Sequence, residues 1–118
     1  MNLVVKNIYD VIKCNTVLHK LYEQQILFTI NVAHKIYKLK EELSEIENLM
    51  FERWNILFGE DYDITKFDED QIKIYNATLQ TEVEIDLYNI TSEDILNNED
   101  AKLSLQDIET INLFFKNI

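Results

Sequence analysis

The sequence predicts a mostly α fold of the α+β kind: an antiparallel helical hairpin with a long second helix, a shorter C-terminal helical region and one or two short strands. Three observations predict it. Apolar residues recur at threes and fours through most of the chain, which is the spacing of a helix face. Proline is absent and Gly59 is the only glycine, so little interrupts a helix. One stretch, residues 82–90, alternates strictly, as a half-buried strand does.

The elements follow in order. Residues 2–7, "NLVVKN", are short, β-branched and alternating, and fit an edge strand or the first turn of a helix. Ile8, Val11, Ile12, Leu18, Leu21 and Tyr22 then mark helix 1. "QQI" at 24–26 breaks that pattern and reads as a tight connection. Helix 2 runs from about Phe28 to Phe58. Its residues Val32, Ile36, Leu39, Leu43, Ile46 and Met50 are spaced 4, 3, 4, 3, 4, a heptad seam. Trp54 stands beside the next slot, Arg53, because a straight helix drifts off a 3.5-residue repeat. Such a helix is about 45 Å long, and Gly59 is placed to stop it. Ala33, Tyr37, Leu49 and Phe51 flank the seam, and helix 1 and the C-terminal region are expected to cover them. Beyond an acidic loop at 59–67, Asp68 fits the N-cap of a third helix. "EVEIDL" is the clearest strand, and "TSED" and "SLQD" each match a capped helix start. The hairpin at 7–58, the loop and the region 68–118 form one domain, since 118 residues are too few for two.

Composition excludes several classes of function. One glycine cannot build a phosphate cradle or a dinucleotide-binding turn, which need close backbone approach at several positions. The single Cys14 permits no intrachain disulfide, and with no leader and no long apolar run the expectation is a cytoplasmic protein away from membranes. Asp61, Asp63 and Thr65 begin a calcium-loop count, but Lys66 takes the glycine position and Ile72 the bidentate glutamate position, so no metal is expected there. Cys14 and His19 stand about 140° apart around a helix and, with His34, are too few for a zinc site. No local nucleophile–base arrangement is present. The expectation is a protein that is not an enzyme and needs no cofactor.

Charge is more informative. Residues 1–40 hold six lysines against Asp10 and Glu23, a net of +4; residues 41–118 hold twenty acids against Arg53 and four lysines, a net of −15. An acidic excess of this size repels nucleic acid and favours a basic protein surface, although acids also serve plain solubility. Within helix 2, Lys35, Lys38 and Lys40 precede Glu41, Glu42, Glu45, Glu47 and Glu52. That order opposes the helix dipole, so tertiary or partner contacts must set it. On the strand, Glu82, Glu84 and Asp86 stand in line about 6.6–6.8 Å apart. A wet outer face explains them; a row of anions matching a nucleic-acid channel is the sharper reading. The candidate partner-binding residues are therefore Glu41, Glu45, Glu52, Glu82, Glu84 and Asp86.

The runs "LHKLYEQQILFTINVAHKIYKLKEELSEIENLMFERWNILFGE", "YNATLQTEVEI" and "LSLQDIETINLFF", within residues 18–115, resemble a group of small bacteriophage proteins without an assigned activity. Those have a helical hairpin, a long second helix ending in a Tyr/Phe-Gly step, an acidic loop and a Glu-Val-Glu-like strand. The resemblance implies a phage origin and offers no mechanism; the usual Leu-Pro step of the turn is replaced by Gln25-Ile26-Leu27. The combined expectation is a non-enzymatic acidic module that binds a basic host or phage protein, in the manner of an anti-CRISPR inhibitor. The rival is a structural or assembly protein forming a homo-oligomer through helix 2. A third role, holding a small signalling molecule, would rest on Lys35, Tyr37 and Lys38.

Overall fold

A computed structural model describes residues 2–116. Strand β1 (Leu3–Asn7) leads directly into α1 (Ile8–Glu23), and α2 (Ile30–Phe58) returns alongside it. A short 3-10 turn (Ile64–Lys66) precedes α3 (Glu69–Leu79), which is followed by β2 (Glu82–Asp86), α4 (Ser92–Leu96) and α5 (Leu105–Phe114). The molecule measures 46 Å along its longest axis. That is close to the length of α2 alone, about 44 Å for 29 residues at 1.5 Å each, so α2 is the spine on which everything else is laid.

The hairpin turn is built without proline or glycine. Gln25 takes a left-handed conformation, φ 56°, and the Gln25 and Ile26 amides bond back to the carbonyls of Tyr22 and Leu21. Phe28 tucks partly into the core before Thr29, in extended conformation, starts α2. The helix therefore begins two residues later than the apolar spacing predicts. Gly59, at φ 90°, ends it. Asp68, Thr91 and Ser104 each form a capping box, so three helix starts follow from local chemistry alone.

β1 and β2 pair antiparallel, with Val4 opposite Ile85 and Val5 opposite Glu84. One face of this two-stranded sheet joins the core through Val4, Val83 and Ile85; Leu3, Val5, Glu82 and Glu84 are exposed. The main core gathers Val11, Cys14, Leu18 and Leu21 of α1, Ile36, Leu39 and Leu43 of α2, Ile85 and Leu87, and Ile111 and Phe114 of α5. A second cluster closes the far end of α2 through Ile8, Met50 and Trp54. The Trp54 indole donates to Thr78 Oγ1 at 2.7 Å, and the Thr78 hydroxyl donates to the Tyr75 carbonyl at 2.6 Å. Aromatic rings continue from there, Trp54 to Tyr75 at 4.8 Å and Phe58 to Phe67 at 4.6 Å. Cys14 is fully buried and behaves as a small apolar residue; burial pushes its thiol far above the ordinary range.

Lys20 and Asp107 pin α1 to α5, Nζ to carboxylate at 2.9 Å. Burial would raise the Asp107 pKa, but hydrogen bonds from Lys20 and from Ser104 outweigh it and hold the carboxyl below its usual value. A carboxyl lowered on folding adds stability above its unfolded pKa, about 3.9, and loses it as pH falls through the folded value. Asp107→Asn is expected to cost about 1–2 kcal/mol at neutral pH, with the gap to the unmodified protein closing as pH falls below about 4; chemical unfolding across pH measures it. Leu43→Ala, which empties a fully buried site, is expected to cost about 2–5 kcal/mol. Ile56→Ala on the same helix stays within about 0.5 kcal/mol.

Candidate protein-binding face

Helix α2 buries one side only. Ile36, Leu39, Leu43, Met50 and Trp54 form its inner stripe, and Val32 and Ile46 are partly buried beside them. The expected heptad seam is thus spent within the chain. The flanking set is not. Ala33, Tyr37, Leu49 and Phe51 are all exposed, Tyr37 by 59% and Leu49 by 60%. Neither α1 nor the C-terminal region covers these residues, which corrects the expectation that they would be covered. Ile30 and Ile56 extend the same outward side and are 88% and 84% exposed.

Glu41, Glu45 and Glu52 stand on this outward side, because steps of four and seven residues return to nearly the same direction on a helix. With Tyr37, Leu49 and Tyr22 of α1 they line a shallow groove of about 810 Å³. Tyr22, one of the apolar positions that mark helix 1, is exposed and forms a wall of the groove. The Lys40 ammonium lies 5.5 Å from the Tyr22 ring centroid, joining the two walls by a cation–π contact. The Tyr37 hydroxyl donates to Glu41 Oε1 at 2.9 Å, and this bond, with the charge behind it, raises the tyrosine pKa. Tyr37 is thereby committed to an anion, and Lys35 and Lys38 do not line this groove with it.

Among the described residues, Lys20–Asp107 is the one lysine or arginine ion pair within 4.0 Å, and the His19 imidazole contacts the Glu23 carboxylate. The Lys38–Glu42 pairing suggested by their spacing does not form. Among the described residues, no lysine or arginine nitrogen lies within 4.0 Å of the groove carboxylates, although Lys40 lines the same groove. His19 turns to Glu23, 2.8 Å away, rather than toward His34, and no group of three metal-ligating side chains comes together among the described residues.

The strand acids divide. Glu82 and Glu84 are exposed on the sheet and belong to a surface separate from the α2 groove. Asp86 is half-buried and accepts from the amides of Tyr88 at 2.8 Å and Asn2 at 3.3 Å, fixing the end of β2. The next turn holds Tyr88 and Asn89 in left-handed conformation, φ 54° and 59°, and the Tyr88 hydroxyl donates to Glu42 Oε2 at 3.2 Å. So Glu42 serves the fold, while Glu41 and Glu45 beside it do not. Glu47 lies half-buried in the α1–α2 crevice. Burial raises its pKa, opposed by a hydrogen bond from Asn15 and by the charge of Lys40. Asn15 Nδ2 also donates to Ser44 at 3.3 Å, and its buried Oδ1 has no hydrogen-bond partner.

No helix among the described residues is long and apolar enough to cross a membrane. No protein-family model, curated protein or solved structure matches this chain. Replacing Glu41 with alanine is expected to return the Tyr37 hydroxyl toward the ordinary tyrosine pKa, read from the pH titration of its ring resonances; an unmoved Tyr37 would break the pairing.

Proposed function

We propose that this chain is a non-enzymatic protein-binding module that presents the outer side of α2 to a basic partner protein. One observation carries the reading: apolar side chains and unpaired carboxylates lie together on the same uncovered helix side. A solubilising surface scatters single apolar residues among mixed charges. Here Tyr37 and Leu49 border Glu41, Glu45 and Glu52 in one groove. Aromatic and aliphatic groups supply contact area there, and the carboxylates select a cationic counterpart and speed its approach.

In its finer form the partner is a host or phage protein whose basic surface otherwise holds nucleic acid, and the module inhibits it by occupying that surface. The net charge of −11 supports this form. Glu82 and Glu84, exposed in line on the sheet, would offer such a partner a second acidic contact. Oligomerisation through the helix 2 seam is the weaker reading, because the seam residues already pack inside the chain.

Exchanging Glu41, Glu45 and Glu52 together for lysine is expected to weaken capture of the basic partner at least about tenfold and to flatten its salt dependence. The unfolding midpoint should stay nearly unchanged, since all three are exposed. Pull-down and titration over a salt series measure both. Undiminished binding by the triple variant would remove the reading.

A further inference from the structure

We infer that the free edge of β2 takes an extended segment of a partner protein as an added antiparallel strand, one with lysine or arginine at alternate positions. This rests on the proposed basic partner and adds a second surface, met through the backbone and separate from the α2 groove.

The register fixes which backbone groups are already paired. The sheet has two strands only. The Leu87 amide donates to the Asn2 carbonyl at 2.9 Å, and the Ile8 amide donates to the Thr81 carbonyl at 3.0 Å. Hydrogen-bonded and non-hydrogen-bonded positions alternate along an antiparallel pair. Between those two ends the bonded pairs are therefore Val4 with Ile85 and Lys6 with Val83. The amides and carbonyls of Glu82, Glu84 and Asp86 point the other way, to the outer edge of β2. Among the described residues no other backbone group bonds to them. Such a row of unpaired donors and acceptors is the template on which a further strand forms.

Side chains make that template selective. Glu82 and Glu84 stand exposed on the outer face, while Val83 and Ile85 turn to the core. An added strand sets every second residue opposite Glu82 and Glu84, about 5.5 Å away between Cα atoms. Opposite charges across such a pair stabilise it and like charges weaken it. Neither carboxylate has a cation within 4.0 Å among the described residues. Lysines or arginines two residues apart meet both. Asp86, third in the row, already accepts from the amides of Asn2 and Tyr88 and needs no cation.

A second copy does not supply this strand. Its β2 would set glutamate against glutamate. Its β1 carries Leu3, Val5 and Asn7 on the outer face, and the one lysine of that strand, Lys6, turns inward to the Leu113 carbonyl and the Phe114 ring. The cations come from another chain.

The test uses the whole protein and three peptides of about nine residues. The first alternates lysine and valine. The second has the same composition with the lysines in one block. The third is the alternating peptide N-methylated on its lysines, which removes the donors that would face β2. Calorimetric titration reads affinity, hydrogen exchange reads single amides, and thermal unfolding confirms that each variant folds. The alternating peptide should bind at least about tenfold tighter than either of the others. It should slow exchange of the Glu82, Glu84 and Asp86 amides at least about tenfold at saturation. E82K/E84K should remove its advantage, and E41K/E45K/E52K should leave it. Equal binding of the methylated peptide, with the three amides unprotected, would overturn the inference. Binding lost in E41K/E45K/E52K and kept in E82K/E84K would also overturn it, and would leave the α2 reading standing. Failure of every peptide to bind would overturn it as well. Protection of the same amides by self-association, without peptide, would overturn it in favour of a second copy.

Discussion

Burying Leu39 and Leu43 is the constraint from which the rest of this structure follows. Both sit at the middle of a 29-residue helix, and both are fully excluded from solvent. A helix that long cannot be surrounded by a chain of 118 residues that must also form the elements doing the surrounding. Helix α1 and the residues around Ile85 and Leu87 reach the inner stripe, and α5 closes over α1. What remains is an uncovered side running most of the length of the molecule. The free face is thus a consequence of how one rod is packed.

Polar contacts then set how far that packing is fixed. Lys20–Asp107 fastens α5 near the turn end of the hairpin, and Trp54–Thr78 fastens α3 near its open end. Lys6 reaches from β1 to the Leu113 carbonyl at 3.3 Å and lies over the Phe114 ring, tying the sheet to the last helix. The first two links join an element to α1 or α2, and the third joins β1 to α5. None of them engages Glu41, Glu45 or Glu52. The carboxylates that hold structure, Asp86, Asp107 and the capping acids, accept hydrogen bonds from backbone amides, whereas Glu41 accepts only from the exposed Tyr37 hydroxyl. That separation turns a diffuse acidic composition into a located feature.

Periodicity and capping chemistry made much of the fold legible in the sequence. The 3-4-3-4 spacing of Ile36, Leu39, Leu43, Ile46 and Met50 names the buried stripe. Asp68, Thr91 and Ser104 name three helix starts because a cap is a local interaction among neighbouring residues. The strict alternation from Glu82 to Leu87 names β2, whereas its pairing with β1 joins residues some eighty positions apart and has no local sign. Coverage was illegible for the same reason. Nothing near Leu49 or Phe51 in sequence says whether α1 is wide enough to reach them, and Tyr22, which continues the apolar spacing of helix 1, ends as a groove wall. Of the candidate binding residues, the structure gathers Glu41, Glu45 and Glu52, sets Glu82 and Glu84 apart on the sheet, and gives Asp86 a turn to hold.

The two-sidedness of α2 is the central claim, and methyl resonances of its leucines and isoleucines report on it directly. A soluble paramagnetic relaxation agent should broaden Leu49 and Ile56 strongly in the free protein and leave Leu39 and Leu43 sharp. Uniform protection of all four methyl groups, or broadening of Leu39 and Leu43 along with the others, would contradict the account.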